Sequence, residues 1–209
     1  VSAFLLTRSS DLEIGTLMVT DNVTGITAEE GSHLTINNLT SLTVDGNTEC
    51  GIKGEGYQNI ELKNISQMSV TDNETGVENA ILLNFVLNDI IVSNNTTGLK
   101  DVTIEDCYIT ANDNITAITE ADISDSYIAL SSNTIAVVNS NIADSDISIS
   151  GGVDDSTGLK YDSGNEYNII ETNLSIQNTE IAGIVENGTN LTIEGICAGS
   201  SFELTNNDL

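Results

Sequence analysis

Apolar residues in this chain recur in short alternating runs. Leu34, Ile36 and Leu39 set the pattern, and Ile60, Leu62 and Ile65 repeat it. Val102, Ile104 and Cys107 follow, then Ile169 to Leu174, then Leu191, Ile193 and Ile196. Alternation with period two is strand spacing, with one face dry and one wet. No stretch carries a helical period. Aligning the runs predicts two inward columns, one of Ile36, Leu62, Ile104 and Ile193, the other of Leu39, Ile65, Cys107 and Ile196.

A second pattern interleaves with the first. Val19-Thr-Asp-Asn-Val-Thr-Gly-Ile26, Val70-Thr-Asp-Asn-Glu-Thr-Gly-Val77 and Val92-Ser-Asn-Asn-Thr-Thr-Gly-Leu99 share one template. Weaker copies end at Ile52, Ile118, Val137, Leu159 and Ile184. The small residue falls at Gly25, Gly51, Gly76, Gly98, Ala117, Ala136, Gly158 and Gly183, so the spacings are 26, 25, 22, 19, 19, 22 and 25 residues, near 22 on average. That period belongs to solenoids. Three short strands and three polar corners fill each repeat. The expected fold is all-β, a single parallel β-helix (β-solenoid) of 8–9 coils of about 22 residues, spanning 1–209 as one domain. The column Asn22, Asn73, Asn95, Asn114 and Asn133 is expected at a bend. Asn tolerates left-handed backbone there, and stacked amides can bond from coil to coil. A second candidate ladder is Asn38, Asn64, Asp106 and Asn173.

Composition sharpens this picture. The 209 residues include 39% apolar but only 4% aromatic, with no Trp and no Pro. The core must be aliphatic, and nothing interrupts long backbone pairing. A net charge of −27 makes nucleic acid an unsuitable partner. No apolar run is long enough to predict a membrane span. Val1 in place of Met fits a processed product, so an extracellular, cell-surface or envelope location is expected.

The repeat resembles the right-handed parallel β-helix superfamily, which includes pectate lyases and related polysaccharide enzymes, over roughly residues 10–205. More narrowly, the absent Pro, the short Ile/Val/Thr/Asn coils, the acidity and the few odd Cys resemble the sheath proteins of methanogenic archaea. Those are amyloid-like β-solenoid chains that form hoops. The resemblance implies a self-assembling structural protein, joined end to end and laterally to copies of itself. Its alternative implication is a carbohydrate-binding or polysaccharide-degrading protein.

Candidate chemistry is sparse. Lyases of that superfamily need a base beside carboxylate-held calcium, but Arg8, Lys53, Lys63, Lys100 and Lys160 fall in no registered acid cluster. Hydrolases need paired carboxylates, and Asp122, Asp125, Asp144 and Asp146 are the stacked candidates, read as solvated. His33 is alone and forms no triad. No catalytic site, and so no enzyme, is expected. No cofactor is expected either, apart from a weak Ca²⁺ candidate at Asp154, Asp155, Asp162 and Glu166 in the longest insertion. Of the Asn-x-Ser/Thr sites, Asn187 and Asn190 are the glycosylation candidates. Cys107 is expected to be a buried thiol. Cys50, at a corner, and Cys197, pointing outward, are expected to be exposed. They lie too far apart to pair within one chain, which makes them intermolecular disulfide candidates. Phe4, Leu5, Leu6, Phe202 and Leu204 mark apolar ends.

Overall fold

The computed structural model describes residues 15–151, 156–195 and 202–205, the side chains of 86–89 and 202–205 aside. Cys197, Asp154, Asp155, Ile196, Phe4, Leu5 and Leu6 lie outside the described residues, as do the side chains of Phe202 and Leu204.

One coil shows how the sequence makes the fold. Tyr127–Ser131 forms the first face, Ile135–Val138 the second and Asn141–Ala143 the third. The next coil opens with Asp146–Ser150, which lies parallel to Tyr127–Ser131 with Ile128 against Ile147 and Leu130 against Ile149. Each strand pairs with its counterparts in neighbouring coils. The solenoid has about eight coils, the second face being an eight-stranded sheet from Thr24–Ala28 to Ile181–Val185. In two coils, Ala80–Ser93 and Thr103–Asn112 run through the corner between third and first faces, so those faces merge into one sheet.

Inward residues stack like on like. Ile36 pairs with Leu62, Leu62 with Leu82, Leu82 with Ile104, and Ile104 with Ile123. These are at most 6% exposed. Removing an aliphatic side chain from water contributes about 1.5–3 kcal/mol, and the period-two pattern delivers one to every second strand position. Leu39, Ile65 and Cys107 are likewise buried. Ile193 corrects the expectation. It continues the column in register, beside Ile169, but is 46% exposed. Among the described residues its strand, Asn190–Glu194, is paired on one side only, and no second described coil covers it.

The small-residue column follows from crowding. A Cβ built on Gly76 would stand 2.5 Å from the Gly98 carbonyl oxygen, and one on Gly51 2.6 Å from that of Gly76. In the last coil the spacing is off by one residue. Gly158 stacks against Ala182, and Gly183 pairs with Leu159.

The corners turn on left-handed residues. At the corner leading into the second face, Asp21, Asp72, Asn94, Asp113 and Ser132 have φ between 55° and 58°. Each stands one position before a ladder asparagine. The asparagines themselves do not make the bend; their predecessors do. Across all three corners, nine of the nineteen described non-glycine residues with positive φ are Asp or Glu. Part of the acidity therefore sits at left-handed turns, where Asp and Asn are the residues most readily accommodated.

Candidate functional site

A left-handed corner breaks the inter-coil backbone ladder, so the next residue's N–H needs another acceptor. At the first corner Asn supplies it. The Asn22 N–H donates to Asn47 Oδ1 at 3.1 Å, Asn47 to Asn73 at 3.0 Å, and Asn73 to Asn95 at 3.0 Å. Asn95 then donates to Asn114 at 3.0 Å, and Asn114 to Asn133 at 2.9 Å. Side-chain Nδ2 groups bond the same oxygens from Asn47 through Asn114. They also reach the carbonyl two residues back, as Asn73 does to Thr71 at 2.7 Å. Asn47 was missed in sequence because it stands four residues before its glycine, where the others stand three. The side chains from Asn47 to Asn133 are at most 4% exposed.

Hydroxyls do the same work at the other corners. The Cys107 N–H donates to Ser126 Oγ at 3.1 Å, and the Ser126 N–H to Ser145 Oγ at 3.2 Å. Between second and third faces the Ala121 N–H donates to Ser140 Oγ at 3.0 Å. The inward column Leu39, Ile65, Phe85, Cys107, Ser126, Ser145 and Thr172 thus changes from apolar to hydroxyl along the solenoid, all of it buried. Asn38, Asn64 and Asp106 are this corner's left-handed residues, and Glu171 completes their series; Asn173 lies on the following strand instead.

Beside that corner lies a groove of about 350 Å³, lined by Tyr108, Tyr127, Asp106, Asp125, Asp144 and Asp146 among others. The two tyrosine rings stack with centroids 4.5 Å apart and remain 42% and 38% exposed. Asp125, Asp144 and Asp146 come together here, and Asp122 does not. It faces the third side, where Asn141 Nδ2 donates to it at 2.9 Å. Asn173 Nδ2 donates to Asp146 at 2.5 Å. Asp144 shares a hydrogen bond with Glu171, which raises its carboxyl above the usual range.

Three of the four lysines are paired locally: Lys63 with Glu61 at 2.8 Å, Lys100 with Glu78 at 2.8 Å and Lys160 with Asp162 at 2.9 Å. His33 lies 3.7 Å from Glu61 and is largely exposed. Asp162 also accepts from Asn139 Nδ2 at 2.9 Å. Those bonds, Lys160 foremost, hold its carboxyl low. Glu166 is exposed. Among the described residues no group of three His, Cys, Asp or Glu is placed to hold one metal ion.

Cys50 differs from expectation. It stands in register between Thr24 and Thr75, is 4% exposed, and donates from Sγ to the Ile52 carbonyl at 3.3 Å. Coils on both sides cover it, so it is not an exposed corner thiol. Burial pushes it up to about 12, and does the same to Cys107. Cys107 Sγ bonds the Glu105 and Leu82 carbonyls at 3.2 and 3.3 Å. Both thiols are free. Asn187 and Asn190 are exposed. Asn187 has φ of 58°, and its Nδ2 donates to the Asp162 carbonyl at 3.2 Å.

Among the described residues, strands at the two ends of the stack are paired on one side only. Thr16–Thr20 meets just Ser41–Asp45, and Ile181–Val185 just Thr157–Tyr161. Apolar side chains are exposed nearby, Met18 at 67%, Val23 at 53% and Val185 at 50%. Among the described residues no helix is long and apolar enough to cross a membrane. Comparison with protein-family models, with curated proteins and with solved structures finds no match.

Proposed function

We propose that this chain is a structural subunit that joins copies of itself end to end into a fibre, hoop or sheath. The observation that carries the reading is that, among the described residues, the end coils are paired on one side only, with Met18, Val23, Val185 and Ile193 exposed beside them. A half-paired strand offers N–H and C=O groups to another chain. Each new backbone bond adds about 1 kcal/mol net, and a whole coil supplies many at once. A continuing solenoid would keep the 4.8 Å cross-β repeat across the junction. An extracellular envelope location, amyloid-like durability and likeness to archaeal sheath proteins belong to this reading, as does a cross-link through Cys197. Cys50, being buried, takes no part in it.

Opposing assembly is the net charge of −27, so polymer should form in salt and disperse without it. The test is sedimentation and electron microscopy of the full chain at low and high salt. Val23→Glu combined with Val185→Glu adds repulsion at both ends while touching neither the core nor the first face. The wild type should elongate and the double variant should not. A wild type that stays monomeric at every salt concentration refutes the proposal.

A second reading has one observation behind it. The exposed Tyr108–Tyr127 stack beside Asp125, Asp144 and Asp146 offers aromatic surface and hydrogen-bond acceptors to a sugar. Glycan-array binding that is lost in Tyr127→Ala would favour it.

A further inference from the structure

The charge is unevenly distributed over the three faces. On the second face Lys53, Glu78, Lys100 and Lys160 stand in one outward column. On the third, Glu61, Lys63, Asp122 and Glu166 are among the outward residues. The first face differs. Its outward columns run from Met18 through Ile91, Ala129 and Ser175 to Glu203, and from Thr20 through Thr71, Ser131 and Gln177 to Thr205, with the tyrosines along one margin. Its described outward side chains include two carboxylates and no cation. Both carboxylates are engaged within the sheet: Thr71 Oγ1 donates to Asp45 at 2.6 Å, and Asn173 Nδ2 to Asp146. Elsewhere the face presents mainly Ser and Thr, with Ala129 and the exposed Met18 and Ile91.

The geometry points to this first face as a lateral interface with a second copy of the chain, the two solenoids lying side by side. This rests on the self-assembling reading above and adds a contact independent of the ends. Two molecules of charge −27 can meet here with the described carboxylates already hydrogen-bonded within the sheet and Glu203 only at the C-terminal end of its column. The corner acids Asp72 and Asp113 on one margin, and Asp125 and Asp144 on the other, stay at the rim in solvent. There salt screens them over about 8 Å. The area suffices. Eight strands at about 4.8 Å, each some five residues wide, give roughly 550 Å² per copy. The total of about 1,100 Å² clears the lower bound for a specific interface. The Ser, Thr and Ala side chains over most of this parallel sheet let two such faces approach closely, as in paired cross-β sheets.

The test uses the full chain in high salt, with analytical ultracentrifugation for pairing and electron microscopy for filament width. Ala129→Glu with Ser148→Glu places charge at two outward positions of this face. Thr43→Glu with Ser175→Glu is an independent second pair. Thr116→Glu on the second face is the control, and circular dichroism confirms that each variant keeps the wild-type fold. We expect wild type and control to pair. The dissociation constant should rise at least tenfold in whichever first-face variant folds, leaving single-width particles. Pairing unchanged in a folded first-face variant overturns the assignment, as does equal loss in the control or a wild type of single width at every salt concentration. Discrete side-by-side dimers that never elongate, but separate in the variants, would refute end-to-end joining and leave this interface standing.

Discussion

Asn114 shows how much one residue does here. Its Oδ1 accepts from the Asn95 backbone and side chain, and its Nδ2 reaches Asn133, Asn112 and Val92. Asn114→Ala leaves the buried Asn95 N–H without its acceptor and removes four further side-chain bonds of the ladder. At about 1–3 kcal/mol for an unsatisfied buried group, a loss of about 2–3 kcal/mol is expected in urea denaturation. Asn22→Ala, at the half-exposed end of the ladder, should cost about 1 kcal/mol. The thiols give a second expectation. With Cys50 and Cys107 both pushed up to about 12, neither should react with an aromatic disulfide reagent at pH 8 until the chain unfolds. The sign of their linkage is fixed. The contribution is fully present below the ordinary thiol value of 9.0 and is lost as pH rises towards 12. Alkaline titration followed by circular dichroism should show stability falling from about pH 9 upward.

At the scale of the strand, the small-residue column limits what the second face accepts. Gly76 has Gly98 O and Val70 Cγ1 in the place of a side chain, at 2.5 and 3.1 Å. Gly76→Val should destabilise by about 1–3 kcal/mol through overpacking, read as a lower urea midpoint with unchanged slope. Ala117 and Ala136 occupy the same column in the coils with 19-residue spacing, so Ala117→Gly should change stability by under about 1 kcal/mol. The corner between third and first faces uses one position in two ways. Leu39, Ile65 and Phe85 fill volume, whereas Ser126 and Ser145 accept a backbone N–H from the coil before. Cys107 stands at the change, packed beside Phe85 and bonded to Ser126.

For the whole molecule, charge at the corners sets the response to solution conditions. Asp144, raised by Glu171, contributes stability that is present at acid pH and lost as pH climbs through its value. Glu61 and Asp162, held low chiefly by Lys63 and Lys160, contribute in the opposite sense and lose it as pH falls. These local effects are small beside a net charge of −27, which opposes compactness through self-repulsion. Added salt should therefore raise the melting temperature at pH 7, and the gain should shrink at about pH 4, where carboxylates titrate. Differential scanning calorimetry at two pH values and two salt concentrations checks it.

The sequence by itself determined the solenoid. Period-two alternation, recurring every 19 to 26 residues, is meaningful only if like strands stack, because only then do Ile36, Leu62 and Ile104 share one interior. The asparagine column was legible by its distance from the small residue, except Asn47, where one extra residue hid it. Tertiary structure decided what depends on neighbours in adjacent coils. It made Asp21 and Asp72, not the asparagines after them, the bending residues, since the amide was needed inside. It covered Cys50 from both sides and left Ile193 half exposed, its strand having one paired neighbour among the described residues. It also placed nine acids at left-handed corners and left the described outward side chains of the first face with two carboxylates, because left-handed turns select Asp and Asn while a strand ladder admits Ser and Thr.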